Sequence, residues 1–82
     1  MILNGGIYRL SMRATLKIAE EIARSHFDGH LTIMRFTTHW KVMFGTPAHR
    51  DEIKRLPYFL TLREALEWLV GAWIEGRGAN MP

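Results

Sequence analysis

The chain has no cysteine. That excludes disulfides, thiolate metal ligands and a Cys nucleophile, and it fits a reducing compartment. It also has no long apolar run. The longest one near the C-terminus, Leu66 to Ile74, is interrupted by Glu67 and falls far short of the ~20 residues that span a bilayer. The opening "MILNGGIYRL" lacks the basic segment, apolar run and small-residue cleavage site of a signal peptide. A cytoplasmic protein with no membrane partner is therefore expected. Charge of one sign is scarce as well: eleven Lys and Arg face eight Asp and Glu, giving a formal net charge of +3, and the signs are interspersed. A dedicated nucleic-acid binder carries a denser basic stripe. Internal repeats, low-complexity segments and linkers are absent too.

What is present suits one domain over residues 1–82, with segment 1–9 and tail 76–82 outside its regular elements. The apolar share is 48%, and three Trp, four Phe and two Tyr supply bulky core material. A first helix is predicted from Ser11 to Phe27. Ser11 is its N-cap, and Met12, Leu16, Ala19, Ala23 and Phe27 recur along one side. Lys17/Glu21 and Glu20/Arg24 stand four apart on the polar side, and Gly29 can close the helix in the left-handed conformation. A last helix opens on "TLRE", a capping box at Thr61 to Glu64. Its buried stripe is Leu62, Leu66, Leu69 and Trp73, widened by Ala65, Val70 and Ala72, and Gly76 ends it. Between the helices, β-branched and aromatic residues predict strands over His30 to Phe36 and Trp40 to Gly45. The polar connection 46–60 then holds either a helical turn over Asp51 to Arg55 or a short third strand near Tyr58 to Leu60.

The hairpin "TIMRFTTHWKVMFGTP" poses a question of parity, because a shift of one residue flips every side chain. With a three-residue loop, Thr37 to His39, one face carries Thr32, Met34, Phe36, Trp40, Val42 and Phe44. The other carries Leu31, Ile33, Arg35, Lys41 and Met43, with Arg35 opposite Lys41. With a two-residue loop, Leu31, Ile33, Arg35, Trp40, Val42 and Phe44 share the core face instead. Thr-Thr is a poor sequence for the primed turns that two-residue loops prefer, so the three-residue loop is expected. In either register neither face is polar, as a solvated face should be. An interface on the second face is one answer; a cover formed by "ILNGGIYRL" or by the 46–60 connection is the other.

Sites of chemistry are thin. His26 and His30 are four apart, but Asp28-Gly29 breaks the helix between them, while His39 and His49 fall in a turn and a loop. No "HExxH" is present, so no metal is expected. "HRDE" at His49 to Glu52 sets acid, base and cation side by side, where they do not converge on one atom. Ser11 and Ser25 lack a "GxSxG" setting, and "NGG" at Asn4 to Gly6 matches no phosphate-binding fingerprint. Neither an enzyme nor a cofactor is expected. On the last helix, Trp68 lies between Glu64 and Glu75 and reads as a contact residue, whereas Ile74 reads as core.

The order helix, hairpin, long loop, helix, closing on "FLTLREALEWLV", resembles small bacterial α+β proteins of unknown function. The shared pattern, an aromatic, a Thr cap and a helix with "EAL", covers Phe59 to Val70. The αββα order also resembles double-stranded-RNA-binding domains. Those have three strands and a basic start to the last helix, whereas this helix opens "TLREALE", so no residue role carries over.

The expected fold is α+β, with two helices packed on one face of a small antiparallel sheet in α-β-β-α order. The expected function is a non-enzymatic interaction module, forming a homodimer or binding a protein partner through the exposed sheet face. Its contact residues would be Ile33, Arg35, Lys41, Met43 and Trp68. The alternative is a nucleic-acid-binding domain using Arg13, Lys17, Arg24, Arg35 and Lys41. On the first reading, Met43→Asp disperses an oligomer and leaves the monomer folded, and Trp68→Ala costs little stability.

Overall fold

The structure is a computed structural model and describes residues 11–76. The expectations for segment 1–9 and for residues 77–82 lie outside the described residues. Helix α1 runs Met12–His26. Ser11 caps it, its Oγ accepting the Ala14 N–H at 3.1 Å, which satisfies one of the donors a helix start leaves open. At the other end Asp28 (φ 57°) and Gly29 (φ 82°) both take the left-handed conformation. The Gly29 N–H then donates back to the Ala23 carbonyl, six residues earlier, at 2.9 Å, which closes the helix and reverses the chain towards the sheet. Thr15, Ala19 and Ala23 are buried, and Leu16, Ile22 and Phe27 pack against the core. Met12, expected in the stripe, is 40% exposed in the first turn.

Strands β1 (Leu31–Arg35) and β2 (Trp40–Phe44) form a two-stranded antiparallel sheet. Leu31 pairs with Phe44, Ile33 with Val42 and Arg35 with Trp40. The next pair outwards is Phe36 with His39, the Phe36 N–H donating to the His39 carbonyl at 2.8 Å, so the loop is the two residues Thr37 and Thr38. This corrects the three-residue loop expected from the sequence. Neither Thr takes positive φ, so the turn is not of the primed kind on which that expectation rested. Contacts across the tip hold it instead: the Phe36 and His39 rings stack at 4.7 Å, and the Thr38 hydroxyl lies 3.0 Å from His39 Nδ1.

The expected third strand is a single bridge. Trp40 and Phe59 exchange backbone hydrogen bonds of 2.7 and 2.9 Å on the outer side of β2. The helical turn in the connection is α2, Arg50–Arg55. Helix α3, Leu62–Ile74, starts at Thr61, whose Oγ1 accepts the Glu64 N–H at 3.1 Å and donates to Glu64 Oε1 at 3.2 Å. The carboxylate is thus engaged by the hydroxyl, where a full capping box has it accept a backbone N–H.

Helices α1 and α3 pack on each other and cover one face of the hairpin, α3 over β2 and α1 over β1. The core between them gathers Ala19, Ala23, Val42, Phe44, Leu66 and Leu69. Phe27 stacks on Phe44 at 4.9 Å, and Trp73 meets both rings edge-on. Each fully buried aliphatic or aromatic side chain here is worth about 1.5–3 kcal/mol, which is a large share of a small domain's net stability. Met43 points to the opposite face and is nevertheless 0% exposed. This corrects its expected role as an outward contact residue: the second face of the hairpin is covered at this position.

Met43→Asp is therefore expected to unfold the protein, or to cost at least about 3 kcal/mol, because a carboxylate would be buried without a partner. Urea denaturation measures this; a variant with an unchanged midpoint would contradict the burial described here.

Candidate functional site

Hairpin parity separates the residues expected to form one contact surface. Ile33 and Arg35 project to the side of the helices, while Lys41 and Met43 project away from them. Arg35 and Lys41 do not oppose each other. Arg35 lies across from Trp40 with its guanidinium 5.2 Å from that ring, and Lys41 lies across from Met34. The Lys41 ammonium donates to the Ile53 carbonyl at 2.9 Å, near the end of α2, and sits 5.9 Å from the Phe36 ring. It therefore ties the 46–60 connection to the second face. Trp68 is half-buried, 5.5 Å from the Phe59 ring, and packs against the core, whereas Ile74 is 73% exposed. The structure exchanges the expected roles of these two, because the bridge to Trp40 carries Phe59 over Trp68.

The parity also decides where β1 directs its backbone. In an antiparallel ladder, alternate residues exchange both hydrogen bonds with the partner strand and the residues between point theirs outwards. His30 bonds to Gly45 and Phe36 to His39 across the hairpin, so Thr32 and Met34 bond inwards. Leu31, Ile33 and Arg35 therefore turn their N–H and C=O groups to the outer edge. On β2 the equivalent outward groups of Trp40 are taken by Phe59. On β1, no residue among those described pairs with this edge.

Beside that edge lies a solvent-open groove of about 470 Å³, lined by Leu16, Glu20 and Arg24 of α1 and by Gly29, Leu31 and Ile33. Its origin is a mismatch of widths. Packed helices lie about 8–10 Å apart, whereas strands lie only ~4.8 Å apart. Two helices on two strands thus leave room for a further strand under α1. Ile33 shows the consequence: it is on the helix-covered face yet 38% exposed. Neither Leu16 nor Glu20 was expected from the sequence to line a site. Their spacing of four on the β1 side of α1 was readable, but the two-strand width of the sheet beneath α1 among the described residues was not.

The α1 flank above this groove carries Arg13, Lys17 and Arg24, all exposed. The expected pairs Lys17/Glu21 and Glu20/Arg24 give way to one ion pair, Arg24 to Glu21 at 2.7 Å, between exposed side chains and so of small energetic weight. A second feature missed from sequence is a ring cluster at the hairpin tip, where His39 lies between Phe36 and Tyr58, its ring centroid 5.4 Å from that of Tyr58. Tyr58 and Leu60 are 65% and 70% exposed.

Among the described residues no three of His, Asp and Glu come together to hold a metal ion. Nor is any helix among them long and apolar enough to cross a membrane. No protein-family model, no curated protein and no solved structure matches this chain.

Stability should follow these placements. Ile33→Thr is expected to change the unfolding free energy by less than about 1 kcal/mol, while Trp68→Ala should cost about 2–3 kcal/mol, somewhat under the range for a fully buried aromatic. Thermal or urea denaturation checks both; equal costs would contradict the exposure of one and the packing of the other.

Proposed function

We propose that the protein is a small non-enzymatic interaction module that takes an extended segment of a protein partner as an added strand along the outer edge of β1. One observation carries this reading: Ile33 remains 38% exposed on the helix-covered face, beside the outward backbone groups of β1. Strand addition draws affinity from main-chain hydrogen bonds and specificity from pockets for alternate side chains. The edge supplies the first and the groove under α1 supplies the second. Edges that proteins protect from pairing carry Pro, bulges or inward charges. "LTIMR" has no Pro, pairs in unbroken register and bears a charge only at Arg35.

A nucleic-acid reading is favoured by a different observation, the exposed rings of Phe36 and Tyr58 around His39 at the tip, with the Lys41 ammonium 5.9 Å from the Phe36 ring. Bases stack on such rings at about 1–3 kcal/mol each. Two of its five cations are already engaged, however, Lys41 by the Ile53 carbonyl and Arg24 by Glu21.

Selection of displayed random peptides on the immobilised protein is expected to return alternating apolar sequences whose binding survives high salt and is lost in Ile33→Pro. An outward N–H on an edge strand is a position where Pro can be accommodated, so circular dichroism should show that variant folded. Oligothymidine binding that falls steeply with salt, and that disappears in Arg35→Ala and Tyr58→Ala, would overturn this reading in favour of nucleic acid.

A further inference from the structure

The strand-addition reading leaves open what kind of strand the edge accepts, and the geometry points to one class of occupant. We infer that the slot beside β1 takes an extended peptide with no helical layer of its own, antiparallel to β1, with an acidic side chain opposite Arg35 and apolar side chains opposite Ile33 and Leu31. This inference rests on strand addition at β1 and concerns the identity of the added strand.

A second copy of this chain is excluded by widths. Two β1 strands pairing antiparallel are related by a two-fold axis perpendicular to the sheet, so both α1 helices would lie on the same face. Because α1 lies over β1, the two helices would be forced to about the strand spacing, ~5 Å. Packed helices need about 8–10 Å. The overhang that makes room for a bare strand therefore shuts out a strand that brings its own α1. The edge can stay open without the copies pairing through it, a hazard that open edges otherwise carry.

The chemistry of the occupant follows from what lines the slot. An added residue opposite Ile33 would exchange both of its backbone hydrogen bonds with Ile33 and turn its side chain under α1, towards Leu16. Its neighbours two positions away share that face. One meets Leu31 and Gly29, which offer apolar contact and no bulk. The other meets Arg35, whose guanidinium rests on the Trp40 ring with no carboxylate partner among the described residues. Opposite charges directly across a strand pair attract. The flank contributes Arg13, Lys17 and Arg24 against Glu20 and Glu21, so together with Arg35 the surroundings are net cationic and favour an acidic segment over a basic one.

The test uses a capped peptide, Thr-Asp-Thr-Val-Thr-Val-Thr, and its counterpart with Lys in place of Asp, titrated into the full chain by NMR, with light scattering of the protein alone across a dilution series. The expected result is a monomer that binds the Asp peptide roughly fivefold more tightly than the Lys peptide, on the scale of a cross-strand charge pair. Arg35→Glu should invert that preference and Ile33→Pro should abolish binding of both. If Ile33→Pro fails to fold, Arg35→Glu, an exposed surface change, carries the test alone. Equal affinities in wild type would overturn the acidic chemistry while leaving strand addition standing. A concentration-dependent dimer that Ile33→Pro disperses would show a second copy in the slot, overturning the helix-free occupant but again keeping the edge. Protection of the Ile33 and Arg35 amides in the isolated monomer would mean that the chain fills its own slot, which overturns the inference. A monomer that binds neither peptide overturns both the inference and the strand-addition reading beneath it.

Discussion

The hydrogen bond from the Phe36 N–H to the His39 carbonyl fixes the parity of the whole hairpin. Given that pair, Leu31, Val42 and Phe44 fall on one face and meet the helices, and Phe44 comes to lie against Phe27 and Trp73. The same parity turns Met43 and Lys41 to the far side, where Met43 is buried and Lys41 holds the Ile53 carbonyl. It also sends the backbone groups of Trp40 outwards, where Phe59 takes them, and those of Ile33 outwards on the other edge. Core, second face and both edges are consequences of one two-residue connection, because side chains and backbone groups both alternate with a period of two along a strand.

The two edges then diverge. Phe59 closes the β2 side at its Trp40 end and carries Trp68 and α3 with it. On the β1 side α1 reaches over an edge where, among the described residues, no strand lies beneath it. A helix layer wider than its sheet must either clash, bend or leave a slot, and here the slot is lined by Leu16, Leu31 and Ile33 with charges at its margins. Strand addition at β1, as proposed, would exploit this asymmetry. It needs no reactive group, only a row of donors and acceptors that no described residue pairs, beside an apolar recess.

Much of the fold was legible in the sequence because it is local. Ser11 and Thr61 cap the helices they were expected to cap, and the buried stripe of α3 follows its 3.6-residue spacing through Leu66 and Leu69. Parity was not legible. The residues that decide it, Phe36 and His39, act through ring stacking across the tip, whereas the turn rule weighed only Thr37 and Thr38. Trp68 and Ile74 exchanged roles because the cover over Trp68 comes from Phe59, six residues before Ala65 enters the core. Helical spacing alone carries no information about that bridge. The slot was hidden for a similar reason: Leu16 and Glu20 read as ordinary flank residues until the number of strands beneath α1 is known.

Amide hydrogen exchange along β1, resolved residue by residue by NMR in the protein alone, tests the central claim most directly. Thr32, Met34 and Phe36 are expected to exchange slowly, since their N–H groups bond across to β2, while Ile33 and Arg35 should exchange fast at the open edge. Slow exchange at Ile33 and Arg35 with fast exchange at Thr32 and Met34 would mean that β1 turns its other set of backbone groups outwards, and with it the edge, the slot and the proposed strand addition would all be lost.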